Sequence, residues 1–194
     1  MSSLRSQRFL RPTVAVLILL VLIALPFYVG AFWLQLGLFV FAAAIGAIGL
    51  NILTGSSGQL SLAHAFFLAV GAYGYSYFAG SSTDIGGGVI VHGAGLPPFL
   101  AMVLAVLLAG AAGLVFSPIA SRLRGIYLGV ASLALVFIGQ HILQNSTTIT
   151  GGFYGRTGAP FSMFGFSFTD GNPSLTVLGV TFGQDERLWY LGLF

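Results

Sequence analysis

Long apolar segments, each about as long as a membrane helix, are the feature that most restricts how this chain can fold. A helix needs about 20 apolar residues to cross roughly 30 Å of hydrocarbon, and the sequence contains several such segments separated by short breaks. Hydrophobic residues make up 57% of the chain and charged residues only 6%, whereas soluble domains carry about 25% charged residues. The sequence therefore predicts an all-α, polytopic membrane protein.

About five full transmembrane helices and the start of a sixth can be placed along the chain. The first is predicted to be a retained helix rather than a signal peptide, because its apolar run is long and no small-residue cleavage site leads into a polar domain. The predicted spans are Thr13–Val29, Phe32–Leu50, Leu60–Phe78, Leu96–Phe116 and Gly125–Leu143, with a new apolar run at Leu188–Phe194.

The charged residues predict the orientation of these spans. Arginine near the ends of spans tends to stay on the cytoplasmic side of a membrane. A cytoplasmic N-terminus places Arg5, Arg8, Arg11, Arg122 and Arg124 inside, and Asp84, Asp170, Asp185 and Glu186 outside. The segment 144–186, which contains Arg156, is then an extracytoplasmic loop, either with short strands and turns or as an amphipathic surface element. The charges form no patch, so no nucleic-acid partner is predicted.

An uncharged polar segment precedes the third predicted span. Leu53–Gln59 reads L-T-G-S-S-G-Q and lacks the arginine that is common in cytoplasmic loops. Non-helical backbone at membrane depth is allowed only where protein or water satisfies its N–H and C=O groups, and Gly, Ser and Thr suit such a broken segment. The pattern predicts a helix break that dips into the membrane.

A small and polar face follows this break in the third span. His64 shares one helical face with Leu60, Gly71 and Tyr75, beside a stripe of small residues that includes Ser61. An ionisable residue in a span must face protein or water, because burial in lipid without a partner is costly. Two roles remain open for His64: lining a solute path, or hydrogen bonding within a closely packed helix pair.

Several kinds of chemistry are missing from the sequence. There is no cysteine, so disulfides and cysteine nucleophiles are excluded, and the few His and acidic residues predict no metal site. The five full spans contain no Asp or Glu, which a proton-coupled carrier usually needs. There is no GxxxxGK[ST] motif for phosphate binding. We therefore expect a non-enzymatic subunit without a bound cofactor, for which any energy comes from ATP hydrolysed by partner subunits.

Three segments together resemble a known family. They are NILTGSSGQLSLAHAFFLAVGAY (51–73), RLRGIYLGVASLAL (122–135) and ITGGFYG (149–155). In order and spacing they resemble the LivM-type permease subunits of branched-chain amino acid ABC transporters. The resemblance covers roughly residues 51–190 and implies a multi-pass protein of the bacterial inner membrane.

The resemblance also implies partners and site residues. The partners are a LivH-type permease, two LivG/LivF-type ATPase subunits, an external amino acid-binding protein and membrane lipid. Residues 1–194 form one transmembrane permease domain, which is expected to be incomplete at its C-terminus. Gly55, Gly58, Gln59, Ser61, His64 and Tyr127 match motif positions on the translocation path, and Arg122 and Arg124 match the cytoplasmic interface.

The sequence leaves the function open between three alternatives. The first is a permease subunit of an ATP-driven importer for Leu, Ile and Val. Urea and short-amide permeases share the same motifs, so they are the second alternative. The third is a subunit that only scaffolds a partner permease and transports nothing itself.

Overall fold

The computed structural model describes residues 3–57, 62–84, 90–163, 166–168, 175–177 and 180–193. Helices contain most of these residues, and the strands form three short antiparallel hairpins. The helices are α1 (Ser3–Ala24), α2 (Ala31–Ser57), α3 (His64–Ala79), α4 (Pro98–Arg122), α5 (Ile126–Asn145), α6 (Thr147–Thr150) and α7 (Gln184–Leu193). The strand pairs are β1 (Thr83–Asp84) with β2 (Ile90–Val91), β3 (Ser162–Met163) with β4 (Phe166–Ser167), and β5 (Leu175–Val177) with β6 (Val180–Phe182).

Within the described residues, three helices are long and apolar enough to cross a membrane. They are Ala31–Gly55, Pro98–Arg122 and Ile126–Asn145, and they overlap three of the predicted spans. A shorter apolar helix covers Pro12–Phe27. Helix α3 has 16 residues, or about 24 Å at about 1.5 Å per residue, less than the roughly 30 Å of hydrocarbon. The predicted all-α polytopic fold is confirmed, and the number of five full spans stays a prediction.

The chain divides into two compact units, and the division falls within α2. The larger unit, 45–167, holds the end of α2 together with α3, α4, α5 and α6. Its α3–α4 contact uses small residues: a Cβ added at Gly74 would lie 3.0 Å from Leu108 and 3.7 Å from Ala105. Farther along, the Phe67 and Phe116 rings meet edge to face with centroids 6.2 Å apart. Small residues let the two backbones approach closely, as is common between membrane helices.

The smaller unit comprises 1–44 and 168–194. Proline at position 26 has no N–H, so the carbonyl of Leu22 lacks the donor that the next helical turn would supply. The indole Nε1 of Trp189 on α7 donates to this carbonyl at 3.0 Å, and the Tyr190 hydroxyl donates to the Ile23 carbonyl at 2.9 Å. The Trp189 ring also packs on Phe41, with centroids 4.8 Å apart. Helix α7 thus satisfies carbonyls that the sequence of α1 leaves open.

The predicted break at Leu53–Gln59 begins later than expected. Helix α2 continues through Ser57, so Gly55 lies in regular helix rather than in unusual backbone. The Thr54 hydroxyl donates back to the Leu50 carbonyl at 2.9 Å, which lets a polar residue sit in the helix without breaking it. Only the second half of the predicted segment remains for a break. Helix α3 then begins at His64, and residues 58–61 lie outside the described part of the chain.

The predicted outer segment contains several short elements. After α5 come α6, a 3₁₀ turn at Gly152–Tyr154 and the hairpin β3–β4 within the larger unit, and β5–β6 within the smaller one. Of the two forms that the composition allowed, the structure contains short strands and turns.

Candidate functional site

The backbone that leads into α3 contacts α5 well away from the end of that helix. Leu62 lies in non-helical backbone, and its N–H donates to the Ser132 hydroxyl at 2.9 Å. Ser132 is fully buried, and its hydroxyl donates to the Gly129 carbonyl at 2.9 Å. Ser132 is the seventh residue of α5, so this contact lies about 9 Å along the helix axis from the start of α5. The break before α3 therefore lies beside the second turn of α5.

His64, the first residue of α3, packs against glycines of α2. A Cβ added at Gly46 would lie 3.0 Å from the imidazole Nε2, and one added at Gly49 would lie 3.6 Å from Cε1. The missing side chains let the imidazole approach the helix surface closely. This contact shows that His64 lies against protein on at least one side. A role in the solute path stays a prediction.

A cavity of about 430 Å³ lies between α3 and α5. Helix α3 contributes one face with Ala65, Ala69 and Tyr73, and α5 contributes the side-chain amides of Gln140 and Gln144 among apolar neighbours. The lining has no charged side chain. A cavity of this size with an apolar wall and a few polar groups is typical of a site for a small ligand.

Phe66 fixes the separation of the two helices beside this cavity. A Cβ added at Gly139 of α5 would overlap the Phe66 ring of α3. Gly139 is buried, and it lies in the cavity wall together with Phe66. The aromatic ring therefore occupies the space that any larger residue at position 139 would take.

The segment 151–155, which we call the lid, closes one side of the cavity through Gly152, Phe153 and Gly155. Gly151, Gly152 and Gly155 have φ values of +79°, +57° and +70°, which side-chain-bearing residues rarely adopt. Thr150 is buried beside the lid. Its hydroxyl oxygen contacts the carbonyl oxygens of Leu143 and Ser146 and accepts the N–H of Gly152 at 3.2 Å. The threonine thus attaches the first residues of the lid to the end of α5.

The predicted site residues do not all meet at this cavity. His64 is the first residue of α3, the helix that forms one wall of the cavity, whereas Gly55 is exposed near the end of α2 and a Cβ there would meet nothing within 4 Å. Tyr127 is 73% exposed on α5. Gly58, Gln59 and Ser61 lie outside the described residues.

Arg122 and Arg124 flank the short connection between α4 and α5. Both side chains are exposed, and Gly125 after them has a φ of +59° that permits the turn. They lie at the opposite end of α5 from the lid, as expected of an interface on the other side of the membrane. Their predicted role at a cytoplasmic interface stays a prediction.

Sequence reasoning missed Ser132, Thr150 and Gln140 as site residues. Ser132 and Thr150 lie inside two of the segments that carry the family resemblance, and both are buried. The available signal was a hydroxyl in an otherwise apolar stretch, since a buried hydroxyl needs a hydrogen-bond partner. The sequence gave no means to identify that partner.

Comparisons with known proteins place the chain in a family. The family described as branched-chain amino acid transport system / permease component matches residues 32–182. The chain is 32% identical over 169 residues to the high-affinity branched-chain amino acid transport system permease protein LivM of Escherichia coli (strain K12), covering 87% of this chain and 36% of that protein. It is 31% identical over 153 residues to the LivM protein of Salmonella typhimurium (strain LT2), covering 78% of this chain and 33% of that protein.

The chain therefore spans about a third of the length of these curated relatives. No solved structure matches it. The family, the relatives and the apolar helices agree on a multi-pass protein of the bacterial inner membrane. The matched range also includes the α3–α5 cavity and the lid. The chain belongs to the LivM-type branched-chain amino acid permeases.

Proposed function

We propose that this chain is part of the membrane permease subunit of an ATP-driven importer, and that the α3–α5 cavity holds a small aliphatic amino acid during transport. The observation that carries the proposal is the Leu62–Ser132 hydrogen bond. It supports a broken helix whose open backbone is satisfied by a protein hydroxyl beside the second turn of α5. Broken helices of this kind form substrate sites near the middle of the membrane in many transporters.

The lining of the cavity supports a neutral, partly apolar solute. Ala65, Ala69 and the Phe66 ring offer apolar contact, while Gln140 and Gln144 offer amide donors and acceptors. An aliphatic side chain fits such a lining without burying a charge next to another charge. The printed names of the relatives, branched-chain amino acid permeases, agree with this solute class.

The energy source and the partners are part of the same proposal. The sequence has no phosphate-binding GxxxxGK[ST] segment. We expect the full-length protein to assemble with a LivH-type permease and two LivG/LivF-type ATPase subunits, and to receive solute from an external binding protein. Co-purification tests this assembly: recovery of a partner permease without any ATPase supports the scaffold alternative instead.

Cavity filling tests the proposed site. In the full-length protein, Ala69→Leu places a larger side chain in the cavity, so we expect uptake of radiolabelled leucine to fall by about tenfold or more while assembly is retained. Ala134→Leu is the matched control, because Ala134 is exposed on α5 and is not part of the lining. Normal leucine uptake by an assembled Ala69→Leu protein would remove this cavity from the path.

A second candidate solute is urea or a short amide. The uncharged lining and its two glutamine amides suit a small neutral amide as well. Competition separates the candidates: excess valine or isoleucine should suppress leucine uptake, whereas excess urea or acetamide should leave it unchanged. The reverse pattern, with labelled urea entering in an Ala69-dependent way, would favour the amide permease.

A further inference from the structure

Arg156 joins two separate parts of the chain on the predicted outer side. Its Nη1 donates to the backbone carbonyl of His92 and, at 3.1 Å, to that of Ile149. His92 belongs to the connection between α3 and α4, and its own N–H donates to the Thr148 carbonyl at 2.8 Å. A planar guanidinium can bridge two acceptors in this way, whereas an ammonium is a single point charge.

The end of α3 is shaped to receive the same guanidinium. A Cβ added at Gly80 or at Gly93 would overlap the Arg156 Nη2, so the two glycines leave the space that it fills. The guanidinium carbon lies 5.9 Å from the centre of the Tyr77 ring. Partial burial lowers the pKa of Arg156 from its ordinary value, and Tyr77 acts in the opposite direction. The side chain remains charged at any physiological pH.

These contacts place Arg156 at one end of the lid, directly after Gly155. Thr150 attaches the other end of the lid to α5 through the carbonyls of Leu143 and Ser146. The bond from Arg156 to Ile149 closes the loop between these two attachment points. The lid over the α3–α5 cavity is therefore held by a hydroxyl on one side and by a guanidinium on the other.

The two attachments differ in how easily they can be released. Thr150 is 3% exposed, and its bonds are local. Arg156 is only half-buried and lines a second cavity of about 410 Å³ on the outer side, together with Ser81 and Thr157. Its two acceptors are neutral carbonyls, for which water can substitute. The guanidinium is thus the attachment that can open without unfolding a helix end.

We infer that Arg156 is a positioning residue for transport: by bridging the carbonyls of His92 and Ile149 it holds the lid over the α3–α5 cavity, and its release opens the cavity to the outside. The inference rests on the proposed function, because the lid matters for transport only if solute passes through this cavity. It assigns a role to an arginine whose outer position the charge pattern of the spans does not explain.

Cysteine accessibility in the assembled, full-length transporter tests the inference. Ala69→Cys is introduced into a cysteine-free version of the full-length protein as a reporter inside the cavity. Cells with a permeabilised outer membrane are treated with a charged, membrane-impermeant maleimide, and the labelling rate is read as a mass shift of this subunit. Arg156→Gln and Arg156→Lys are compared with the control Thr157→Ala, which alters the neighbouring exposed side chain. Ser121→Cys, on the predicted inner side, reports leakage.

We expect both Arg156 variants to label the reporter about tenfold faster than the parent, because the open state becomes more populated. Thr157→Ala should label at the parental rate, and Ser121→Cys should stay unlabelled throughout. Parental rates in both assembled Arg156 variants overturn the inference. If Arg156→Gln fails to assemble, Arg156→Lys decides alone, since lysine keeps the charge but cannot bridge both carbonyls.

Two further readouts separate the possible failures. A purely structural role for Arg156 predicts a lower thermal midpoint without faster labelling at position 69, and that result also overturns the inference. Leucine uptake by the parent protein is measured in the same cells. Absent uptake counts against the proposed function, whereas normal uptake with unchanged labelling in the Arg156 variants counts only against the lid.

Discussion

At the scale of single residues, a few polar groups inside apolar helices determine where the chain can depart from regular structure. Ser132 is the clearest case, because it accepts the N–H of Leu62 and donates to Gly129 while fully buried. A backbone N–H outside a helix has no partner of its own. The hydroxyl on α5 therefore allows the backbone before α3 to be non-helical at this position.

Removal of this hydroxyl should destabilise the protein. Ser132→Ala leaves the Leu62 N–H without its acceptor, and we expect the free energy of unfolding to fall by about 1–3 kcal/mol. The measurement is denaturant unfolding of the purified full-length protein in detergent. Ser121→Ala is the control, since that exposed hydroxyl donates only to Pro118 in its own helix. Equal stability of the two variants would contradict a structural role for Ser132.

Two neighbouring glycines of α2 should respond differently to the same change. A Cβ at Gly46 would lie 3.0 Å from the His64 imidazole, a tight contact, whereas one at Gly49 would lie 3.6 Å away, an ordinary contact. Alanine in a helix interior is favoured over glycine by about 0.5–1 kcal/mol. We therefore expect Gly49→Ala to be neutral or stabilising in denaturant unfolding, and Gly46→Ala to lose that gain. Equal gains from both would show that His64 does not constrain α2.

At the scale of elements, glycine and aromatic residues determine how closely α3 and α5 approach. Gly139 faces the Phe66 ring so closely that a methyl group would overlap it. The α3–α4 pair uses the same device at Gly74. These helices have little amphipathic pattern to guide their packing, since lipid and protein neighbours are both apolar. Shape, rather than hydrophobic burial, therefore selects the helix pairs.

A paired substitution tests this packing. Gly139→Ala should lower the free energy of unfolding by about 1–3 kcal/mol through overpacking against Phe66. Gly129→Ala on the same helix should be neutral, because nothing lies within 4 Å of the added Cβ. The double variant Gly139→Ala with Phe66→Leu should recover part of the loss if the ring is the obstacle. A loss of the same size from Gly129→Ala would indicate a general cost of alanine in α5 instead.

At the scale of the whole molecule, charge and apolar length determine the arrangement in the membrane. The predicted inner side carries Arg122 and Arg124 in the connection between α4 and α5, and the predicted outer side carries the lid and Arg156. Outside the spans, a guanidinium can be held by backbone carbonyls, as Arg156 is by His92 and Ile149. Its position therefore follows from local bonding and not from the rule that orients the spans. The Ser121 labelling control also tests this orientation.

The sequence by itself determined the class of protein, the approximate positions of three long spans and the family. These follow from the order of residues along the chain, because apolar length and motif spacing are properties of the sequence alone. Its prediction for Leu53–Gln59 was wrong in the first half, since Thr54 bonds back to its own helix. Local polarity did not distinguish a polar helix end from a break.

Only the tertiary structure decided which residues meet. Leu62 and Ser132 are far apart in sequence, as are Phe66 and Gly139, and Arg156 and His92. A hydrogen bond or a ring-to-glycine contact depends on distances of a few ångströms between such residues, which no local pattern encodes. The cavity and its lid exist because these contacts form together, and so the candidate site became visible only in the folded chain.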